Sequence, residues 1–232
     1  MSAPEEIQLA SLSLTHVHYY PGDPISYLCA WLALVPQGLC VVYATLIWST
    51  REVEVCLMFA GQMGCEALNW GLKRWIKEER PKLMNDKGYG MPSSHAQFVA
   101  YFSISLSLFL LLRHRPTPST THTPITPPTR IFLSLLSLVG ATLVAASRIY
   151  LNYHTSKQVL VGAGAGVVCA VGWFGVTTGL RRSGLLEMVL DWEVVRMFRV
   201  RDLVIGEDLV EAGWARWEER RRRVGGKGGK ER

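Results

Sequence analysis

The chain has 232 residues, 49% of them hydrophobic and only 19% charged, with a formal net charge of +6. One soluble domain could have this length, but so few charges, set between long apolar runs, point to a membrane protein. Thirteen of the 25 Lys and Arg follow Leu180; that basic excess suits an anionic membrane surface, and no basic folded face or motif for nucleic acid is evident. The five cysteines all fall inside apolar runs with no zinc-ligand spacing, and read as small buried residues.

The N-terminal segment, 1–25, is polar and acidic and carries no signal-peptide pattern; it closes on HVHYYPGDP, with Tyr19 and Tyr20 suited to headgroup depth. His16 and His18 form an H-x-H pair, but no third metal ligand is near. A first span is predicted over residues 26–48, with Pro36 and Gly38 inside it, and a second over 53–72, less clean because it carries Glu54, Gln62, Glu66 and Asn69. A polar island follows, Lys73 to His95, holding six Lys or Arg, two Glu, one Asp and one His. The third span covers 95–112. The Pro- and Thr-rich stretch 113–130 reads as a loose loop. Span four covers 131–146 and ends at a second island, Ser147-Arg148 with His154 after five residues. Span five, 159–180, contains GAGAG at Gly162 to Gly166, a pattern for close helix packing. From Leu185 to Phe198 apolar residues recur among charges as in a helix lying on a membrane, and the Gly-rich, charged end reads as disordered. The expected fold class is therefore all-α, a polytopic helical bundle of about five transmembrane helices, with a membrane-embedded domain at 26–180 and a tail at 181–232.

Five spans put both islands and the N-terminus on one side. The opposite side holds 17 Lys and Arg against 8 on the island side. The positive-inside rule then places the tail and the 113–130 loop in the cytosol and the islands outside or in a lumen.

The islands have the chemistry of a phosphate site. Lys73, Lys77 and Arg80 are spaced four and three apart and share one face if span two continues as a helix, with Asn69 and Glu66 extending the stripe. Lys77, Lys82 and Lys87 read as headgroup anchors. Pro92-Ser93-Ser94-His95 stands where a helix begins; Ser suits the N-cap, and free N–H groups of a first turn bind phosphate oxygens. Gly88 and Gly90 give the backbone before it freedom to approach a ligand. Two histidines, His95 and His154, can carry phosphoryl transfer without a metal, one attacking phosphorus and the other protonating the leaving oxygen. No D-x-D, H-E-x-x-H or Walker pattern is present to support a metal or nucleotide mechanism.

The ordered segments K-x6-R-P (from Lys73), P-S-S-H (from Pro92) and S-R-x5-H (from Ser147) resemble the type 2 phosphatidic acid phosphatase superfamily, which also includes vanadium haloperoxidases. LTHVHYYPGDP, KGYGMPSSHAQF and SRIYLNYHTSKQV look most like its dolichyldiphosphatase family. The resemblance covers about residues 13–175. It implies a phosphohistidine intermediate, no cofactor or metal, His154 as nucleophile and His95 as general acid. Lys73, Arg80 and Arg148 would bind the phosphate, helped by Ser93 and the Ser94 N–H. The wider superfamily often has Gly at Ser94, and Asp where Gln158 stands. Gln158, the candidate orienting residue, can accept from a ring N–H but cannot stabilise an imidazolium by charge, and no other acid is assignable.

The reading this supports is hydrolysis of a polyprenyl diphosphate, dolichyl diphosphate, at the luminal face of the endoplasmic reticulum, recycling the carrier for protein N-glycosylation. A phosphatase for phosphatidate or sphingoid phosphates is the alternative within the fold. A catalytically silent membrane scaffold using its basic tail is the alternative outside it.

Overall fold

The computed structural model describes residues 10–12, 17–81, 88–116, 124–211 and 213–228. A short antiparallel hairpin, β1 (Ala10–Leu12) and β2 (Val17–Tyr19), precedes a helical chain. α1 (Pro24–Leu32) and α2 (Val35–Thr50) together form the first apolar run, 27 residues long. They are two helices because Pro36 cannot donate to Leu32 and its ring crowds that carbonyl. α3 (Val53–Ile76), α4 (Ser94–Leu108), α5 (Pro127–Tyr150) and α6 (Ser156–Arg182) follow. A π-turn, Phe109–Arg113, extends α4.

Among the described residues four stretches are long and apolar enough to cross a membrane: Pro24–Thr50, Ser94–Arg113, Pro127–Tyr150 and Ser156–Arg182. α3 is the fifth helix of the bundle. Its 24 residues reach about 36 Å at 1.5 Å per residue. What lowers its hydropathy is turned inward, since Glu54, Gln62 and Asn69 are all buried.

α4 is the central helix and packs on α3, α5 and α6. The α4–α6 approach depends on two glycines of the GAGAG run. A Cβ on Gly162 would stand 2.6 Å from the Ser93 carbonyl oxygen, and one on Gly166 would stand 2.4 Å from that of Gln97. On Gly164, between them, a Cβ would meet nothing within 4 Å. The first turn of α4 is thus seated directly on the backbone of α6.

The end of the bundle away from the islands is closed by the tail. Glu54 is buried between Arg113 and Arg181, each at 2.6 Å, and Arg181 also pairs with Asp202. Glu52, fully buried, accepts from the N–H groups of Leu203 (2.9 Å) and Val204 (3.1 Å) and pairs with Arg201 at 2.7 Å. The backbone adds Val53 N–H to the Arg201 carbonyl and Arg201 N–H to the Arg51 carbonyl. His114 bonds the Val204 carbonyl and Asp208, so the loop after α4 is tied to the tail as well.

Two features of the tail differ from the sequence expectation. The apolar pattern after Arg181 resolves into two short helices, α7 (Leu185–Leu190) and α8 (Glu193–Met197), because Trp192 takes an extended conformation between them. Their large side chains, Leu185, Met188, Trp192, Val194, Met197 and Phe198, are exposed as on a membrane-lying segment. The charged end, expected to be disordered, carries α9 (Trp214–Gly228). There Arg222 pairs with Glu218 and Arg223 with Glu219, each one helical turn apart.

Candidate active site

Both polar islands come to the same end of the bundle. α5 stops at Tyr150, and a tight turn follows in which the N–H groups of Tyr153 and His154 both donate to the Arg148 carbonyl (3.1 and 3.2 Å). Asn152 takes the left-handed conformation at φ 57°, which Asn tolerates better than most residues. Arg148 and His154 are thereby set side by side, both buried. Arg148 lies 4.3 Å from the Tyr153 ring centre, and the Tyr153 hydroxyl accepts the His18 N–H at 2.8 Å. Val17 joins Cys29, Ala30, Ala33, Leu151 and Tyr153 in one apolar cluster, so the N-terminal hairpin braces this turn.

α6 begins with a capping box. Thr155 Oγ1 accepts the Gln158 N–H (3.2 Å), while Gln158 Oε1 accepts the Thr155 N–H (3.3 Å). The same Gln158 Oε1 lies 3.2 Å from His154 Nδ1. An amide oxygen can only accept, so Nδ1 carries the hydrogen and Nε2 keeps its lone pair. Burial first, then the positive charges of Arg80 and Arg148, bring the His154 pKa from the ordinary 6.5 down to about 4. The ring is neutral at physiological pH, the state a nucleophile requires.

Ser93, the N-cap of α4, is buried; its N–H donates to the Gln158 carbonyl (3.1 Å), and its Oγ makes no hydrogen bond. The N–H groups of Ser94, His95 and Ala96 have no acceptor within α4, as in every first helical turn. Lys73 Nζ bonds Ser94 Oγ at 2.6 Å, Ser94 Oγ donates to Asn69 Oδ1 (3.1 Å), and Asn69 Nδ2 donates to Gln97 Oε1 (2.7 Å). Gln97 donates in turn to the Cys65 carbonyl (2.8 Å), anchoring the lysine and the PSSH turn to the inward polar stripe of α3. His95 Nε2 lies 3.1 Å from the Ala33 carbonyl oxygen, which a continuous first helix would have bonded internally. The break that Pro36 enforces provides that acceptor and fixes the hydrogen on Nε2.

The shared-face expectation is corrected for Arg80. α3 ends at Ile76, and Lys77 takes the left-handed conformation (φ 53°) with its side chain exposed. The chain then reverses: Glu79 bridges to Tyr89, and the Gly90 N–H donates to the Glu78 carbonyl at 2.7 Å. Arg80 reaches His154 from this returning strand, not from the helix. Gly90 is required there, since a Cβ would stand 2.8 Å from both amide atoms of Gln158 and 3.0 Å from Arg80 Cγ. Lys82, Lys87 and His16 lie outside the described residues. Sequence reasoning missed Glu78, whose carboxylate receives a hydrogen bond from Gln158 Nε2 at 3.0 Å. Its only signal was a place two residues before Arg80.

A helix N-terminus, three cationic side chains and two histidines, one held neutral with a free ring nitrogen, gather at one end of the bundle, an arrangement with the chemistry to bind and attack a phosphate group. The chain belongs to the PAP2 superfamily, which its residues 51–182 match, and within it to the dolichyldiphosphatase family. It is 55% identical to a putative dolichyldiphosphatase of Neurospora crassa, over 92% of this chain and 93% of that one. It is 39% identical to dolichyldiphosphatase 1 of Homo sapiens (82% and 81% covered) and 31% identical to the dolichyldiphosphatase of Saccharomyces cerevisiae (89% and 88%). The fold is that of the crystal structure of a transmembrane PAP2-type phosphatidylglycerolphosphate phosphatase from Bacillus subtilis. The TM-score is 0.56 at 22% identity, over 69% of this chain and 80% of that one.

Proposed function

We propose that the protein hydrolyses a polyprenyl diphosphate, dolichyl diphosphate, to the monophosphate and inorganic phosphate through a phosphohistidine. The observation that carries the chemistry is His154: neutral, with Nε2 free, among Arg80, Arg148 and Lys73. The names of its relatives, up to 55% identical, supply the substrate. His154 Nε2 attacks the terminal phosphorus, and the bond to the bridging oxygen breaks. His95, whose Nε2–H donates to the Ala33 carbonyl, enters this step as the imidazolium that the anionic substrate favours, gives the departing monophosphate its Nδ1 proton and becomes neutral. Water then attacks the phosphohistidine, with His95 taking its proton, and phosphate leaves. Lys73, Arg80, Arg148, the Ser93 hydroxyl and the first-turn N–H groups of α4 share the charge of the equatorial oxygens, and no resident metal is needed.

An apolar groove of about 340 Å³ between α4, α5 and α6 accommodates the prenyl chain. Ala96, Ile149 and Val159 on its wall are the chain neighbours of His95, Arg148 and Gln158, so a lipid whose headgroup is at His154 has its first isoprene units at the mouth. The excess of Lys and Arg on the tail side supports a luminal site in the endoplasmic reticulum and a cytosolic tail. There the reaction would return the lipid carrier to N-glycosylation.

The test is purified protein in vesicles, offered dolichyl diphosphate and phosphatidate with EDTA present. Preference for dolichyl diphosphate, with loss of turnover in His154→Ala, is expected. Preference for phosphatidate moves the protein to the alternative substrate class, and activity that requires divalent metal refutes the mechanism.

A further inference from the structure

The notable departure of this site from the wider superfamily is an uncharged Gln158 behind the nucleophile. An amide is useful there only in one of its two orientations. With oxygen toward His154, the ring must carry its hydrogen on Nδ1 and present Nε2. With NH2 toward His154, Nδ1 must be the acceptor, and the hydrogen moves to the nitrogen that has to attack. Something must therefore select the orientation.

We propose that Glu78 is a positioning residue for the phosphoryl transfer, selecting the orientation of the Gln158 amide and through it the tautomer of His154. Gln158 is buried, and its Nε2 donates to Glu78 Oε1 at 3.0 Å and to the Glu79 carbonyl at 2.9 Å. Two acceptors on that side require nitrogen there. The oxygen then faces His154 Nδ1 and the Thr155 N–H, which are donors. The Glu78 carboxylate is held in place from its other oxygen by Lys157 Nζ at 3.2 Å. The hydrogen bond from Gln158, and then Lys157, keep the Glu78 carboxyl below its ordinary range, so it is ionised when the enzyme works. Reversing Gln158 would set its oxygen against this anion.

Glu78 comes to the site by the same reversal that brings Arg80. The left-handed Lys77 ends α3, and Gly90, bonded to the Glu78 carbonyl, leaves the space that the amide occupies. The relay Lys157–Glu78–Gln158–His154 places an acid one amide away from the nucleophile. The carboxylate common in the wider superfamily is in this way replaced by an amide that borrows its polarity from Glu78.

The proposal rests on His154 being the nucleophile, and the test separates the two. Turnover of farnesyl diphosphate in detergent micelles is measured for the native protein, His154→Ala, Glu78→Gln, Gln158→Glu and the Glu78→Gln/Gln158→Glu double variant. Retained turnover in His154→Ala refutes the nucleophile assignment itself. If His154→Ala is inactive, Glu78→Gln should lower kcat about 10-fold with KM and unfolding temperature unchanged, because the orientation of Gln158 then rests on the Glu79 carbonyl and the Thr155 N–H alone, without the anion that repels the reversed oxygen. In the Gln158→Glu background either carboxylate oxygen fixes the tautomer, and Glu78 only repels it. There the same Glu78→Gln change should raise activity several-fold, a reversal of sign that a merely structural residue does not give. A loss below threefold in the single variant, or an equal loss in both backgrounds, overturns the proposal. If both variants carrying Gln158→Glu are inactive, the single variant decides alone: a threefold or larger fall in kcat at constant KM and stability supports it, and any other result overturns it.

Discussion

Gly162→Ala is the most economical perturbation of this site, because it adds one methyl group at a place where α6 touches the α4 cap. The added carbon would stand 2.6 Å from the Ser93 carbonyl oxygen and 3.1 Å from the Ser93 nitrogen. Ordinary contact begins near 3.4 Å, so the cap and α6 must separate by about 0.8 Å, and the obstacle is backbone that no rotamer change can remove. Ser93 N–H donates to the Gln158 carbonyl, so the separation strains the hydrogen bond that joins the α4 cap to the first turn of α6, next to His154. A displacement approaching 1 Å at a reacting centre costs about 100-fold in rate, while overpacking costs roughly 1–3 kcal/mol of stability. The expected result is a folded protein with kcat on polyprenyl diphosphate reduced about 10- to 100-fold. Gly164→Ala is the internal control, since its Cβ meets nothing within 4 Å; it should keep native turnover and gain up to about 1 kcal/mol of helix propensity. Phosphate release in micelles and thermal unfolding, measured on both variants, provide the check. Native activity in Gly162→Ala, or equal damage from Gly164→Ala, would refute the claim that the PSSH turn is positioned by α6.

Three further outcomes follow from the geometry. His154 must be neutral to attack, and its pKa lies at about 4 rather than 6.5, so the acid limb of kcat/KM should fall near pH 4, and an acid-limb midpoint above 6 would contradict the assignment. The unfolded chain takes up this proton near 6.5 and the native one only near 4, so His154 makes the native state lose stability as pH falls through that window; acid titration of the unfolding temperature, native against His154→Gln, measures it. Ala163 lines the apolar groove, and Ala163→Phe should raise KM several-fold for long-chain diphosphates while leaving short-chain ones nearly unaffected; equal effects on both would place the prenyl chain elsewhere.

Much of this was legible in the sequence. Hydropathy located the helices to within a few residues, the sidedness of the loops put the two islands at one end, and three short motifs named Lys73, Arg80, Ser93, Ser94, His95 and Arg148 beside His154. What the sequence hid has specific causes. The 3.6-residue period assigned Arg80 to the face of Lys73, but Lys77 enters a left-handed conformation and the chain turns back; nothing local marks a Lys for that role. Glu78 went unremarked because its partner Gln158 lies 80 residues away. The acceptor for His95 arises from a proline break two helices earlier, and the charged end formed a helix through turn-spaced Glu–Arg pairs that composition alone did not rank.

The clasp at the far end of the bundle has a consequence for how the protein is made. Glu52 and Glu54 enter the membrane early in synthesis, but Arg181, Asp202 and the 201–204 backbone that satisfy them are translated more than a hundred residues later. Until then two carboxylates destined for burial have incomplete partners, and they must stay protonated or at the water boundary. Ribosome-bound chains ending before Arg181 should therefore hold the α2–α3 hairpin loosely, and it should become protease-resistant only when the tail emerges and docks. In this protein the docking of the 201–204 segment, not the insertion of α6 itself, completes the bundle.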